Sequence, residues 1–585
     1  MEYLEKLNPE QLQAVTTTSN KVLVVAGAGS GKTRVLTTRI QYLIDKGVNK
    51  GDIIAFTFTK RAAKEMQFRL SKYNFNNIHT FHSYCYRMLQ IYKDELGFQK
   101  FDNINLVTED YELQIIDEII SELNIKYNPK TLMQFITKRK NNLEYPFTSV
   151  EEASIFNQVY YRFQQRLMSH GQIDFDDMIS LFVNNIDNLS DKDYILDSCK
   201  YILVDEFQDT NQIQFDLIKK LASKHNNLFC VGDTNQLIYS FRSSDIKIIN
   251  DYMNEADEVI YLNKNYRCAS NILESSNNLI KHNHNLKNDI YSDIEPKFKV
   301  TYHELPDTKY QAWDVANIIN NLITKGNYKP NDIAVLFRNN YQSTEIEYEL
   351  KKQNIPYTAY GKLKFYKFEA TRRMIALYQF LDNPDDYILF RQAVLIDQII
   401  YDKIVSTFKQ SNNNLLDIII NMNIERISNQ ASKIKELINN IKSYSRATLF
   451  EYMMTILCDK YTNKQLEYLR ALKDIIVNSE LKTIKEILDN LLLAEDEHIN
   501  EMGVNLMTIH KAKGLEFKCV FIISINEGII PPSLKKESDI KEERRILYVA
   551  MTRAKEYLYL SSADYHIING MRKRLNPSMF VSEIK

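Results

Sequence analysis

The sequence predicts an α/β chain built from two parallel-sheet domains, each interrupted by a mainly helical insertion. Three observations lead there. First, short apolar runs rich in β-formers recur at Val22–Ala26, Ile53–Phe58, Tyr201–Val204, Leu228–Val231, Ile333–Phe337, Cys519–Ile523 and Tyr557–Leu560. Bounded by turns and separated by amphipathic stretches, such runs read as strands buried on both faces by helices. Second, glycine and proline number only 14 and 11 in 585 residues, about 4% against the roughly 12% usual in proteins. That shortfall excludes collagen-like, low-complexity and linker-dominated chains. Third, the stretch from Lys362 to Met502 holds no glycine and one proline, Pro384, as continuous helix requires.

In chain order, 1–104 and 171–260 are expected to form the first sheet domain, with 105–170 its helical insertion. Residues 261–382 and 500–585 form the second, with 383–499 a reduced insertion. Within that reduced insertion Ile434, Leu437, Ile438 and Ile441, then Ile484, Ile487, Leu488 and Leu491, repeat at i, i+3, i+4, i+7, one apolar helix face each time. In the first insertion, 124–142 carries Lys126, Lys130, Lys138, Arg139 and Lys140 and no acid. Two readings stand there, a solvated helix face or a contact with backbone phosphates.

Composition narrows the function classes. With 74 basic against 75 acidic side chains, a polyanionic partner must be met by local patches. The six cysteines, Cys85, Cys199, Cys230, Cys268, Cys458 and Cys519, form no C-x-x-C pair, so neither a zinc ribbon nor an iron–sulfur cluster is suggested, and reduced, buried thiols are expected. The opening residues MEYLEKLNPEQ are charged where a signal peptide needs an apolar run, and no uncharged stretch reaches the roughly 18 residues of a membrane span. A cytoplasmic protein without a membrane partner is expected. His282 and His284 have metal-like spacing, but in a polar, asparagine-rich segment they read as a solvated helix end.

Val22 to Thr33 reads V-L-V-V-A-G-A-G-S-G-K-T, an apolar strand running into a glycine-rich loop that opens a helix. Such a loop, here Ala26, Gly27, Ala28, Gly29, Ser30 and Gly31, lets backbone N–H groups approach phosphate oxygens. Lys32 would reach the β- and γ-phosphates and Thr33 would hold Mg²⁺, with the helix N-terminus adding its positive end. Ala26 stands where the strict G-x-x-x-x-G-K-[ST] pattern has glycine. Some 170 residues on, the buried run Tyr201–Val204 ends in Asp205 and Glu206. One carboxylate is needed for the Mg²⁺ shell and one to deprotonate the attacking water, so Asp205 is assigned to the metal and Glu206 to the general base. The chain is expected to hydrolyse a nucleoside triphosphate.

Further motifs follow in order. They are Asp205-Glu206-Phe207-Gln208-Asp209, Val231-Gly232-Asp233 through Gln236-Leu237-Ile238-Tyr239, Asn265-Tyr266-Arg267, Thr508 through Phe517, and Leu547 through Ala554. With Leu7-Asn8-Pro9-Glu10-Gln11 at the start, this series resembles the superfamily 1 DNA helicases of the UvrD/PcrA/Rep type, in a short form without a C-terminal extension. The resemblance covers nearly the whole chain. It implies two RecA-like P-loop domains with ATP in the cleft between them. It also implies that Gln11 reads the adenine edge and that Arg34 and Tyr266 sandwich the adenine ring. Gln236 would sense the γ-phosphate, Arg267 and Arg553 would act as arginine fingers from the second domain, and Glu516 would bind the ribose side.

A strand-binding set is implied as well. Single strands are gripped by aromatic platforms plus phosphate contacts. Phe58, Tyr239 and Phe241 match the platforms, His82 and His510 join the strand contacts, and Arg338 suits a backbone phosphate. Phe175, in Asp174-Phe175-Asp176-Asp177, reads as core. This chain departs from the family in having Phe241 where tryptophan is common and Lys60 after Thr57-Phe58-Thr59. Its insertions are also shorter, and the second lacks glycine-containing turns that relatives use on duplex DNA. Only 32 residues follow Arg553, so neither a partner-binding tail nor a fused nuclease is expected. The leading expectation is an ATP- and Mg²⁺-dependent 3′→5′ DNA helicase or translocase acting on single strands and their junctions with duplex. The alternative keeps the motor as the ATPase subunit of a repair or defence complex, with a nuclease or repair protein as partner, or as a protein-stripping translocase. A nucleotide-gated structural protein is disfavoured by the complete set Lys32, Asp205, Glu206, Arg267 and Arg553.

Overall fold

Buried, β-rich runs become strands throughout the computed structural model, which describes residues 2–239, 246–283, 290–360, 368–411, 413–457, 461–479, 481, 483–492, 502–533, 536–568 and 571–584. The first five strands are β1 (Lys21–Ala26), β2 (Ile53–Thr57), β3 (Ile78–Thr80), β4 (Asn105–Leu106) and β5 (Gln172–Ile173). Next come β6 (Tyr201–Val204), β7 (Leu228–Gly232), β8 (Glu258–Leu262), β9 (Thr301–Asp307) and β10 (Ile333–Phe337). The last five are β11 (Tyr357–Ala359), β12 (Val504–Thr508), β13 (Phe517–Ile522), β14 (Ala554–Ile568) and β15 (Met571–Arg574).

The chain divides into two compact units. One comprises Met1–Arg87, Ile179–Lys362 and Asp496–Lys585, the other Met88–Met178 and Leu363–Glu495. The first unit holds both large sheets. A six-stranded sheet runs β3-β2-β6-β7-β1-β8, every neighbouring pair parallel. A seven-stranded sheet runs β11-β12-β10-β13-β14-β15, with β9 also parallel to β14 and only β15 antiparallel. Strands β1, β2, β7 and β10 are buried almost end to end, as helices on both faces require. Helix Lys32–Asp45 packs Val35, Leu36 and Ile40 against β1 and β2 on one side of the first sheet. Helix Glu537–Met551 delivers Ile546 to Met551 to one face of the second sheet, and helix Thr308–Thr324 delivers Val315 and Ile319 to the other. This α/β architecture of parallel sheets fits the expected P-loop fold.

The apolar runs foretold β1, β2, β6, β7, β10, β13 and β14, but not β3, β4, β5, β8, β9, β11, β12 or β15. β9 carries Pro306 and two acids, which only a strand at a sheet margin tolerates, so its sequence lacks the apolar run of a central strand. The run expected at Tyr557–Leu560 extends over all of Ala554–Ile568, because its far half pairs with β9 and β15.

Among the described residues the second unit is helical apart from the short parallel pair β4–β5. Its core joins Ile115, Ile119, Phe156 and Phe163 to Met374, Leu377, Ile434, Leu437, Ile487 and Leu488. Helix Glu369–Asp382, read from sequence as part of the second sheet domain, thus lends its apolar face to this core. Lys126 and Lys130 are exposed, as a solvated helix face requires, but Lys140 fits neither reading of its basic stretch. It is wholly buried, paired with Asp174 and, at 2.8 Å, with Asp177. Arg139, beside it, lies over the rings of Tyr160 and Tyr161. The described cysteines Cys85, Cys199, Cys230, Cys268 and Cys519 are buried and unbridged. Cys458 and His284 lie outside the described residues. Among those residues no helix is long and apolar enough to cross a membrane.

Candidate active site

All the nucleotide-site elements lie in the unit with the two sheets. β1 ends at Ala26 and the chain turns through the glycine loop into helix Lys32–Asp45. Gly31 caps that helix at φ +90° and Gly29 sits at φ +66°, left-handed positions that glycine takes without a Cβ penalty. Gly29 also meets the second sheet domain. A Cβ there would fall 2.7 Å from Asn265 Nδ2. Asn265 donates that amide to Ala28 O at 2.6 Å, and Tyr266 N donates to Gly29 O at 2.9 Å. The loop is therefore laced to the N-Y-R segment.

The carboxylates stand at the end of β6. Asp205 is buried and accepts from Glu206 N at 3.1 Å. Glu206, a non-glycine residue, is held at φ +50°, a costly conformation that clusters at functional sites. Its carboxylate lies 3.9 Å from Lys32 Nζ and accepts from the Gln208 amide. Burial, then the charge of Glu206, pushes Asp205 up to about 7. Burial works on Glu206 too, but Lys32, Lys513 and Gln208 outweigh it and hold Glu206 at about 2. Neighbouring carboxylates with opposed titration suit divided roles, one ionised at all working pH and one needing a cation.

Across from them the second domain supplies cations. Arg553 is almost wholly buried and donates to Val549 O at 2.9 Å and Leu515 O at 3.2 Å. Burial, then the charge of Arg267, pulls it down to about 10. Arg267 donates Nε to Glu516 at 2.8 Å, and Lys555 holds the other Glu516 oxygen at 2.6 Å. Burial would raise the Glu516 carboxyl, yet Arg267 and Lys555 hold it at about 2. Two guanidinium groups converging in a partly dry cleft favour a multiply charged anion.

These groups line a cavity of about 800 Å³, within the usual range for ligand sites. Ser30, Gly31, Lys32, Thr33, Arg34, Asp205, Glu206, Gln236, Tyr266, Arg267, Glu516 and Arg553 all face it, together with Phe58 and Tyr239. Arg34 and the half-exposed Tyr266 provide two planar groups at its rim. The Thr33 hydroxyl and Asp205 carboxylate are hard oxygen donors, the type Mg²⁺ uses alongside substrate phosphates. Among the described residues no group of three or more His, Cys, Asp or Glu could hold a metal by itself.

Other expected residues lie elsewhere. Gln11 is buried behind the loop, donating to Ser30 O at 2.9 Å and accepting from Asn8 N at 3.3 Å. Its amide braces the loop and does not face the cavity. Arg338 forks onto the buried Glu543 carboxylate, at 2.7 Å from Nη2 and 3.1 Å from Nε, an internal ion pair where an open cation was expected. His82 and His510 are half-buried and do not line the cavity. Phe175, expected in the core, is 45% exposed. Phe241 lies outside the described residues. Phe58 and Tyr239 stack on each other, centroids 5.4 Å apart and planes within 16°. Sequence reasoning quoted Asp209 and Lys513 without giving them work, yet Lys513 Nζ meets both Asp209 oxygens at 2.7 and 2.6 Å.

Comparison with known proteins agrees with this geometry. The UvrD/REP helicase N-terminal domain matches residues 7–257 and the UvrD-like helicase C-terminal domain matches residues 260–565. The chain is 34% identical to ATP-dependent DNA helicase PcrA of Bacillus subtilis (strain 168), covering 99% of this chain and 86% of that protein. Proteins of the same name from Staphylococcus epidermidis (strain RP62A) and Staphylococcus aureus (strain Mu50) are each 32% identical, with the same coverage.

Proposed function

The chain belongs to the UvrD-like helicase family, and on that footing we propose that it is an ATP-driven motor that moves 3′→5′ along single-stranded DNA and parts duplexes at their junctions with single strands. One observation carries the reading. A single cavity is lined by the phosphate loop and paired carboxylates of one sheet domain and by Arg267 and Arg553 of the other.

In the proposed chemistry Lys32 and the glycine loop cradle the phosphates. Glu206 takes a proton from the attacking water, the bond to the γ-phosphorus forms, and the bridging bond to ADP breaks. Thr33 and Asp205 would hold a Mg²⁺ ion, which when bound supplies charge neutralisation of the phosphate oxygens. Arg267 and Arg553 stabilise charge on the transferring group, so turnover needs the two domains closed on each other. Loss of the γ-phosphate removes what holds them closed, and the cycle becomes movement. Phe58 and Tyr239 would offer stacking faces to the strand.

A second reading, a translocase working inside a larger assembly, draws on the glycine-free stretch from 362 to 502. ATP turnover with and without single-stranded DNA, followed by unwinding of 3′- and 5′-tailed duplexes, separates the two. Stimulated turnover with unwinding of the 3′-tailed duplex supports the helicase, and stimulation without unwinding supports the assembly motor. Turnover indifferent to DNA overturns both.

A further inference from the structure

The segment from Thr234 to Tyr239 carries two side chains with different expected duties, Gln236 toward the nucleotide and Tyr239 toward the strand. It belongs to the first sheet domain, yet residues of the second hold it. Lys513 Nζ donates to Gln236 O at 2.7 Å and Arg545 Nε to Leu237 O at 2.8 Å. The Tyr239 hydroxyl donates in turn to His510 O at 3.1 Å.

Lys513 is the junction of this web. Its side chain is 6% exposed and that of Asp209 1%. Its three N–H donors meet three acceptors, both Asp209 oxygens and the Gln236 carbonyl. The same ammonium lies 4.9 Å from the centroid of the Tyr239 ring, a cation–π distance. Asp209 closes the short turn that begins at Glu206, its N–H bonded to Glu206 O at 2.9 Å. One buried cation therefore touches the turn behind the general base, the backbone of the γ-phosphate sensor, and the ring expected to stack on a base.

We infer that Lys513 is a positioning residue that couples the nucleotide site to the strand site. A base taking a place in the Phe58–Tyr239 stack parts the two rings, and the Tyr239 ring packs on the Lys513 ammonium. The ammonium follows the ring only together with Asp209, because parting from that carboxylate would strand two buried charges. Movement at Tyr239 is thus passed to the Glu206 turn and to Gln236, and nucleotide binding is passed back by the same contacts. The inference rests on the proposed strand motor. Lys513 also lines the nucleotide cavity, but in this scheme it acts through Asp209, Gln236 and Tyr239.

Thermodynamic coupling is reciprocal and typically amounts to about 5–150-fold, which sets the test. The affinity of the full-length chain for a fluorescent oligo(dT) is measured with and without a non-hydrolysable ATP analogue. The same measurement is made on Lys513→Met and on the pair Lys513→Met/Asp209→Asn, whose neutral side chains leave no orphaned charge. The wild type should show a nucleotide-dependent change in oligo(dT) affinity, and in the paired variant the ratio should collapse toward one while each ligand still binds alone. A paired variant that keeps the wild-type ratio overturns the coupling role. Loss of oligo(dT) binding in the absence of nucleotide also overturns it, making Lys513 part of the binding surface. A wild type whose turnover and affinity ignore the other ligand fails the motor reading itself, a result distinct from either.

Discussion

Arg553 and Gln236 meet across the cleft, the Nη2 of the arginine donating to the Oε1 of the glutamine at 3.4 Å. Gln236 is fixed in turn by its own amide, which donates to Asp233 at 2.7 Å. In the proposed finger role this contact holds a guanidinium of the second domain at the cavity that would take the γ-phosphate. Its burial beside Arg267 leaves it short of negative charge, so stabilisation is greatest when charge builds on a transferring phosphoryl group. Arg553→Ala should lower the maximal turnover rate by about 10³–10⁵-fold with little change in ATP affinity. Single-turnover hydrolysis and equilibrium binding of a fluorescent ATP analogue check it, and a loss confined to affinity contradicts the finger role.

Glu206 offers the sharper chemical test. Lys32 and Lys513 keep its carboxylate ionised, and its positive φ fixes where that carboxylate points. Glu206→Gln keeps shape and polarity but cannot accept the proton. The variant should bind ATP as the wild type does and lose hydrolysis by at least about 10²-fold, the scale of general-base catalysis. Equal turnover in a stopped assay of phosphate release removes Glu206 from that role.

Which parts of this were legible beforehand follows from how far apart the partners lie. The phosphate loop and the Asp205–Glu206 pair sit at the ends of strands buried on both faces, so apolar runs announce them. Lys513 has its partners 304 and 277 residues away, and nothing local distinguishes a buried, triply bonded lysine from a solvated one. Lys140 was misjudged for the same reason, since the acids that bury it stand 34 and 37 positions on, in a segment read for its phenylalanine. Gln11 shows the converse. The resemblance gave it only an adenine contact, and its bond to Ser30 O depends on how the loop folds back.

Arg338 can be assigned by stability against binding. Its fork on Glu543 leaves the side chain 24% exposed, so the pair is only partly screened. Arg338→Ala should cost about 1–3 kcal/mol through the stranded Glu543 carboxylate, seen as a lower melting midpoint. The salt dependence of oligo(dT) binding should not change. Each phosphate contact contributes about 0.7 to the slope of log affinity against log salt for single strands. A drop of that size in the variant would return Arg338 to the strand path.

The buried cluster around Lys140 predicts a pH effect on the helical unit. One ammonium faces Asp174 and Asp177 directly, with Asp176 bonded to Asn141 at 2.9 Å and the half-buried Glu112 close by. One cation thus faces two buried carboxylates with two half-buried ones close by, an arrangement that favours the protonated form of part of the cluster. Burial, then the charge of Asp174, raises Asp177 to about 7 and Asp176 to about 6. Both lie above the unfolded value of about 3.9, so between about pH 4 and 7 the folded unit binds more protons than the unfolded chain. Stability contributed by these groups is present in acid and is lost as pH rises through that window. The melting midpoint of the wild type should therefore gain more than that of Asp176→Asn between pH 8 and pH 6, by about 2–4 °C for each kcal/mol of linkage. Lys140→Met should steepen the dependence, because the carboxylates then lose the one charge that favours their ionised form. Identical profiles for the wild type and both variants would mean that the cluster is fully ionised and internally balanced at neutral pH.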